Sequence, residues 1–407
     1  MKAYEKAWED IEQEYNRLGL KENPFSESAD ISSEERINAI FTGRHVELRE
    51  VLRLFKGESR KRILIYGWYG IGKTIFMKIV LDAIKYKFKK SLVSYISMPA
   101  ETDIATTALI ALALEMPNDE WALQQLNMMG IMPDRGLYKR KNKIEFNAFG
   151  VKGGKEEETI PFKGIKYPSI SFDKLCERAL KKHDKIVIGI DDLDKQDPDR
   201  VTRLLRDAQG LLKGKAWFIL SGHPGGLTKD MVTGNLGLFD LTRELTQMDE
   251  NTTHEMLVKY LNVARSEPSE HIGTTHPFNE EQAKLLYKNS EGHPRWFNRL
   301  AFYILSEALD RKASRIDANI FEKGRERTRK ELQNQQELSD NDLYLFKLIE
   351  ERGSFSDENI SMDDLNKFGI KTFNDMMPML EKLVQHDLLR QIERVDGLKY
   401  VVTPIMK

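Results

Sequence analysis

Apolar residues along this chain fall into two rhythms. In residues 1 to 20, Tyr4, Trp8, Ile11, Tyr15 and Leu18 recur at spacings of three and four. That is one stripe on a helix with acidic flanks, suited either to docking on its own domain or to binding a partner. A polar, Ser-rich connector, "NPFSESADISSEE", follows. From Ile40 to about residue 247, short β-rich runs alternate with longer helical ones. The clear strands are "RILIYG" (62 to 67), "SLVSYIS" (91 to 97), "KIVIGID" (185 to 191) and "AWFILSG" (216 to 222). Near-continuous apolar strands interleaved with helices predict an α/β fold with a parallel sheet covered on both faces.

An interruption separates the second and third strands. "RGLYKRKNKIEFNAFGVKGGKEEETIPFKGIKY" alternates around a Gly-Gly turn and predicts an inserted hairpin at about 135 to 167. Residues 248 to about 332 read as helical, with two amphipathic helices joined at Gly292-His293-Pro294. After the polar linker "NQQELSDND" come helical patterns at 341 to 352, 361 to 368 and 372 to 388. The closing stretch "RQIERVDGLKYVVTP" carries Asp396-Gly397, the signature of a primed hairpin turn. Three helices and a two-stranded wing predict a winged helix. No internal repeat or low-complexity tract is present.

Composition narrows the classes. The 407 residues allow two or three packed domains, and 40% hydrophobic with 31% charged residues describes an ordinary soluble protein. Lys+Arg 63 against Asp+Glu 64 gives no global bias toward nucleic acid or membrane. The one cysteine, Cys176, excludes an intrachain disulfide and fits a reducing cytosol. Eight histidines and that cysteine make no zinc-ligand spacing. The first 20 residues lack the apolar segment of a signal peptide. The longest apolar run, "ALIALALEM" (108 to 116), is far short of the roughly 20 residues that span a bilayer, and predicts a buried helix.

The chemistry begins at "GWYGIGKT", residues 67 to 74. A GxxxxGK[ST] pattern is meaningful only between a strand and a helix. Here an apolar strand precedes it and "TIFMKIVLDAIKY" follows with helical periodicity. Gly67, Gly70 and Gly72 let backbone N–H groups face phosphate oxygens, and the helix N-terminus adds about half a positive charge. Lys73 would reach the outer phosphates and Thr74 would offer its hydroxyl to Mg²⁺. The complementary acids stand at the end of another buried strand, in "IVIGIDD". Asp191 is the Mg²⁺-side carboxylate, and Asp192 stands where a general base would polarise the attacking water. Asp194, Asp197 and Asp199 read as caps and turn formers, with Asp197-Pro198 as a helix start.

"FTGRHVELREVLRLF", the P-loop, "IVIGIDDLD", "AWFILSGHP" and "SEGHPRWFNRL" occur in an order that resembles the AAA+ ATPases over roughly residues 38 to 332. Within them the chain is most similar to the branch holding archaeal origin-recognition initiators, the STAND switch ATPases, and the secretion and transposition helper ATPases. The resemblance implies an N-terminal helix and connector (1–37), a nucleotide-binding α/β domain (38–247), a helical lid (248–335) and a winged-helix domain (336–407). It implies ATP and Mg²⁺ as cofactors, a cytoplasmic homo-oligomer, and further roles. Phe41 to Arg44 would lie beside the adenine, with Pro294 near the base. Ser221 would sense the γ-phosphate, with His223 as alternative, and Arg295 would be the second sensor from the lid. Arg295 sits in the first turn of a helix, where a cation is disfavoured without an anionic partner.

Two departures bear on activity. The residue after the first acid, often Glu in vigorous hydrolases, is Asp192, one methylene shorter, which suits slow turnover. The arginine finger from a neighbouring subunit is not marked; Arg243 is the first candidate, then Arg203 and Arg206. Such a finger is worth about 10³ to 10⁵ in rate.

Charge shapes the expected partner. From Ser339 to Lys407 there are 13 acids and 9 Lys/Arg, and the would-be recognition helix carries Asp375, Glu381 and Asp387 against one lysine. DNA readers need cations near phosphates, so a protein contact fits this domain better than DNA. Met376, Met377 and Met379 suit a core or, if exposed, an adaptable interface. Cations cluster instead at Arg135, Lys139, Arg140, Lys141 and Lys143, and in "KGRERTRK" (323 to 330). Either patch would carry nucleic acid; a solvated loop and an acidic neighbouring helix are the plain alternatives. The expectation is therefore a nucleotide-gated switch or assembly module acting on a partner protein, through the winged helix or the N-terminal helix. The resemblance extends this to a mobile-element or defence setting. The alternative is a DNA-binding initiator- or transposition-type ATPase, and a non-hydrolysing scaffold is a third reading.

Overall fold

The computed structural model describes residues 2–26, 34–99, 102–131, 165–193, 198–223, 237–265, 271–334, 337–394 and 397–407. In chain order the elements are α1 (Ala3–Arg17), α2 (Glu34–Ile40), α3 (His45–Leu54), β1 (Arg62–Tyr66), α4 (Lys73–Lys87) and β2 (Ser91–Ser97). Then come α5 (Ile104–Leu114), α6 (Glu120–Met128), α7 (Pro168–Ala179), β3 (Lys185–Asp191), α8 (Pro198–Asp207), α9 (Gln209–Leu212), β4 (Trp217–Gly222) and β5 (Leu241–Glu244). The remainder comprises α10 (Glu250–Val263), α11 (Glu280–Ser290), α12 (Pro294–Asp310) and α13 (Ala318–Gln333). It ends with α14 (Asp340–Arg352), α15 (Met362–Lys367), α16 (Phe373–Gln385), β6 (Leu389–Arg394), β7 (Gly397–Val402) and a 3₁₀ turn at Pro404–Met406. The chain forms two compact units, one of Arg44–Trp68 with Gly72–Thr246, the other of Met1–Gly43, Tyr69–Ile71 and Gln247–Lys407.

The first unit is α/β. Its five parallel strands lie in the order β2-β3-β4-β1-β5. β3 and β4 are buried almost throughout, as continuous Val/Ile/Leu/Phe runs require when both faces are covered. β5, "LTRE", was not among the expected strands. It is four residues at a sheet edge and half exposed, so it carries no apolar run to announce itself. α5 is the buried helix expected of "ALIALAL", capped where the Asp103 carboxylate accepts the Thr106 N–H at 2.8 Å. Asp119 starts α6 in the same way, accepting the Ala122 N–H at 3.0 Å. Among the described residues no helix is long and apolar enough to cross a membrane. The inserted segment, including Arg135, Lys139, Arg140, Lys141 and Lys143, lies outside the described residues apart from its last few positions. So do Asp194, Asp197 and the Asp199 side chain.

The second unit is helical. One continuous core runs from Leu18, Leu20 and Phe25 through Tyr260, Phe297 and Phe321 to Phe346, Tyr400 and Met406. Phe25 stacks on Tyr260 at 5.7 Å and meets Phe297 edge-on at 5.9 Å. The 248–335 and 336–407 segments and the N-terminal connector therefore share buried surface. α1 docks on this core only at its C-terminal end, through Tyr15 and the fully buried Leu18. Tyr4, Trp8 and Ile11 stand 57%, 64% and 40% exposed, so only one end of the apolar stripe is docked.

α14, α15 and α16 each begin with a capping box, from Ser339, Ser361 and Thr372. β6 and β7 pair antiparallel, Leu389 opposite Val402 through Arg394 opposite Gly397; Asp396 of the expected turn lies outside the described residues. Met376 is buried and Met377 and Met379 pack against the core, as the plainer reading of those methionines required.

Candidate functional site

In the α/β unit, β1 ends at Tyr66 and α4 begins at Lys73, so the glycine-rich loop joins a strand end to a helix N-terminus. Gly72 is the N-cap of α4 with φ +97°, a conformation that only glycine adopts freely. The Lys73 ammonium, largely buried, donates to the carbonyls of Gly67 at 2.9 Å and Trp68 at 3.2 Å. The loop thus holds its own cation at the mouth of a helix N-terminus, where an anion is favoured. Thr74 is half-buried in the first turn of α4.

The acids assemble across three strands. Asp191 ends β3 and is fully buried. Its Oδ2 accepts from the Tyr95 hydroxyl of β2 at 2.9 Å, and its Oδ1 accepts from the Ser221 hydroxyl of β4 and from the Asp192 N–H at 3.0 Å. Asp192 turns out of the strand at φ +62°, a region Asp visits more readily than most residues. Its N–H also reaches Ser221 Oγ at 3.3 Å, and its carboxylate accepts from the Ser97 hydroxyl at 2.6 Å. Parallel register sets Ser97 opposite Asp191, so both acids are held by hydroxyls from flanking strands.

His223 follows β4, buried, with Trp68 edge-on to it at 4.8 Å. Burial, aided by the Lys73 charge, pushes its imidazole down to about 3, so the ring is neutral at physiological pH. Arg44, αL at φ +59°, pairs with Glu47 at 3.6 Å and donates to the Thr246 carbonyl. Arg243 of β5 is ion-paired with Glu50 of α3. Arg203 and Arg206 lie on the exposed side of α8, opposite buried Val201, Leu204 and Leu205.

The helical unit holds the rest. The Phe41 carbonyl accepts from Lys259 Nζ at 2.8 Å. Pro294 opens α12, and its carbonyl accepts from Asn298 at 3.0 Å. The loop-tip residues Tyr69–Ile71 cluster with this unit. A Cβ at Gly70 would lie 2.5 Å from Cβ of Arg295, which leaves room only for glycine. The anionic partner that Arg295 requires is Asp387, between α16 and β6. Asp387 is 3% exposed and lies 3.7 Å from Arg295 Nε and 2.7 Å from Arg299 Nη1, and its Oδ1 accepts from Trp296 Nε1 at 3.0 Å.

In "KGRERTRK", Lys323 pairs with Glu326, Arg325 with Glu322, Arg327 with Asp310 and Arg329 with Glu350. Acidic neighbouring helices thus engage two of its five cations, and acids of the same helix engage two more. The exposed positions of α16 are Asn374, Asp375, Pro378, Glu381 and Gln385, two acids and no cation, while Lys382 bonds Asp342 at 2.7 Å.

The donor set fits a nucleotide and a hard divalent cation. Among the described residues no group of three or more His, Cys, Asp or Glu could cage a metal by itself. A P-loop hydroxyl and one strand carboxylate instead match Mg²⁺, which takes few protein ligands and shares phosphate oxygens. Tyr95, Ser97 and Asp387 escaped sequence reasoning. The first two stand in "SLVSYIS", where a polar residue near the end of a buried strand was the available signal; Asp387 had none.

No family model matches the chain, and no curated protein matches it. Among solved structures it is similar to the RuvB Holliday junction branch migration motor of Thermotoga maritima, at 16% identity and TM-score 0.44 over 94% of this chain and 96% of that one. The Orc1 protein of Aeropyrum pernix, solved in complex with DNA, matches at 16% identity and TM-score 0.48 over 90% of each chain. Cdc6p of Pyrobaculum aerophilum matches at 13% identity and TM-score 0.44, covering 93% and 96%. The geometry above, not these likenesses, supports the functional reading.

Proposed function

We propose that this chain is a Mg²⁺-dependent, ATP-binding AAA+ ATPase that acts as a slow, nucleotide-gated switch on a partner protein. The observation that carries the reading is the Ser97–Asp192 hydrogen bond, which engages the acid proposed as the general base just after β3. A site built for rapid turnover would leave that carboxylate to a water molecule.

In this reading Lys73 exchanges two loop carbonyls for phosphate oxygens, while Thr74 and Asp191 hold Mg²⁺. When bound, the metal would supply neutralisation of phosphate charge. Ser221, already joined to both acids, responds to the γ-phosphate with neutral His223 beside it. Phe41, Arg44 and Pro294 serve the base, and Arg295 the phosphates. A homo-oligomer would bring a neighbour's arginine, and Arg203 and Arg206 are better exposed for that than Arg243. The partner contact falls to α1, whose bare Tyr4, Trp8 and Ile11 are flanked by Glu5, Glu9 and Glu12. That combination calls for an apolar groove rimmed by basic residues. The winged helix, with its acidic outer face on α16, is the second candidate surface. A mobile-element or defence setting is the pathway this reading adopts.

The test pairs two variants. Lys73→Ala should lose nucleotide binding by at least about 30-fold, since a buried charge partner is removed. Asp192→Asn should bind ATP like the parent and stop hydrolysing it. Hydrolysis at the parental rate in Asp192→Asn sinks the general-base role. The DNA-binding alternative is tested by titrating labelled duplex at several salt concentrations; tight, steeply salt-dependent binding would favour it.

A further inference from the structure

Asp191 is held from the β2 side by a phenol. Tyr95 lies on the edge strand, in register with Gly189, two residues before the acid. Residues two apart share a sheet face, so Tyr95, Gly189 and Asp191 present the same side. That side is covered by α4: a Cβ at Gly189 would lie 2.9 Å from Leu81 and 3.1 Å from Met77. Lys78 of the same helix sets its ammonium 5.2 Å from the Tyr95 ring centroid. The phenol thus spans from the P-loop helix to the acid at the end of β3.

We propose that Tyr95 is a positioning residue for the Asp191 carboxylate and thereby sets the affinity of the site for Mg²⁺. The inference rests on the ATP- and Mg²⁺-binding reading above. A carboxylate has about four acceptor positions. Tyr95, Ser221 and the Asp192 N–H take three of them. One direction remains for the metal side, and the Tyr95 hydrogen bond to Oδ2 decides which way it points. Ser221 and the backbone grip only Oδ1, so without the phenol the carboxylate is free to rotate about that anchor. The Lys78 charge over the ring strengthens the phenol as a donor.

Tyr95→Phe removes the hydroxyl and keeps the ring and the Lys78 contact. The measurement is binding of a fluorescent ADP analogue to the full chain, with Mg²⁺ titrated and again in EDTA. Loss of a second-layer hydrogen bond should raise the half-saturating Mg²⁺ concentration about tenfold. The EDTA affinity, set by the P-loop, should stay within about twofold, as for substitutions that leave a site's contacts intact. Lys78→Met should shift the Mg²⁺ curve in the same direction by less. A superimposable Mg²⁺ curve for Tyr95→Phe overturns the proposal. So does an equal fall of affinity with and without Mg²⁺, which would mark a merely structural residue. A parent that binds no nucleotide at all sinks the ATP reading itself, a different failure.

Discussion

The Ser97 hydroxyl donates to the Asp192 carboxylate at 2.6 Å, joining the ends of two adjacent parallel strands. A hydrogen bond to a charged group is among the stronger kinds, and this one ties down the acid proposed as the general base. Ser97→Ala should therefore raise ATP turnover severalfold while leaving nucleotide affinity unchanged. Steady-state phosphate release against ATP concentration reads both. A fall in turnover would mean that Ser97 helps the base rather than restrains it.

Asp387 gathers Arg295, Arg299 and Trp296 in a site that is almost closed to water. Removing the acid leaves the Arg299 charge largely buried, with side-chain exposure of only 12%. Asp387→Ala should cost about 3 kcal/mol of stability, the range for breaking a buried pair from one side. Urea unfolding of the full chain is the check, and a loss below about 1 kcal/mol would place the cluster with surface ion pairs instead.

His223 makes stability depend on pH in a definite direction. Its folded-state value lies at about 3, below that of an unfolded histidine, because burial disfavours the cation. The unfolded chain therefore binds the extra proton first. The contribution is complete above pH ~6.5 and shrinks as pH falls, by at most about 1.4 kcal/mol per unit. Between pH 7 and 5 the parent should lose more stability than His223→Gln. Parallel pH profiles for the two would show that the imidazole charges in the folded state.

Trp8 is 64% exposed on the N-terminal half of α1. Trp8→Ala should leave the unfolding midpoint and ATP affinity unchanged, within about 0.5 kcal/mol, as surface substitutions do. A loss of 2 kcal/mol or so would show that the indole is buried in solution, as a core aromatic is.

Much of this was readable from residue order. "RILIYG" followed by "GWYGIGKT" and a helical period placed the loop between a strand and a helix, because each signal is local. "KIVIGIDD" put two acids at the end of a buried strand for the same reason. β5 was missed because an edge strand needs no apolar run, and Arg327 and Arg329 of "KGRERTRK" looked available because their acids, Asp310 and Glu350, come from other helices. The half-exposed state of α1 was likewise hidden, since an apolar stripe has the same period whether covered or bare.

Sequence alone placed a glycine-rich loop between a strand and a helix and two acids where a buried strand ends. The parallel sheet decided the rest. It set Ser97 and Tyr95 against Asp192 and Asp191 across about 95 residues of chain, and folding back of the terminal helices brought Asp387 to Arg295 across more than 90. Hydrogen bonds and ion pairs depend on separations of a few ångströms, and sequence distance carries no information about those until strands are in register and helices are packed.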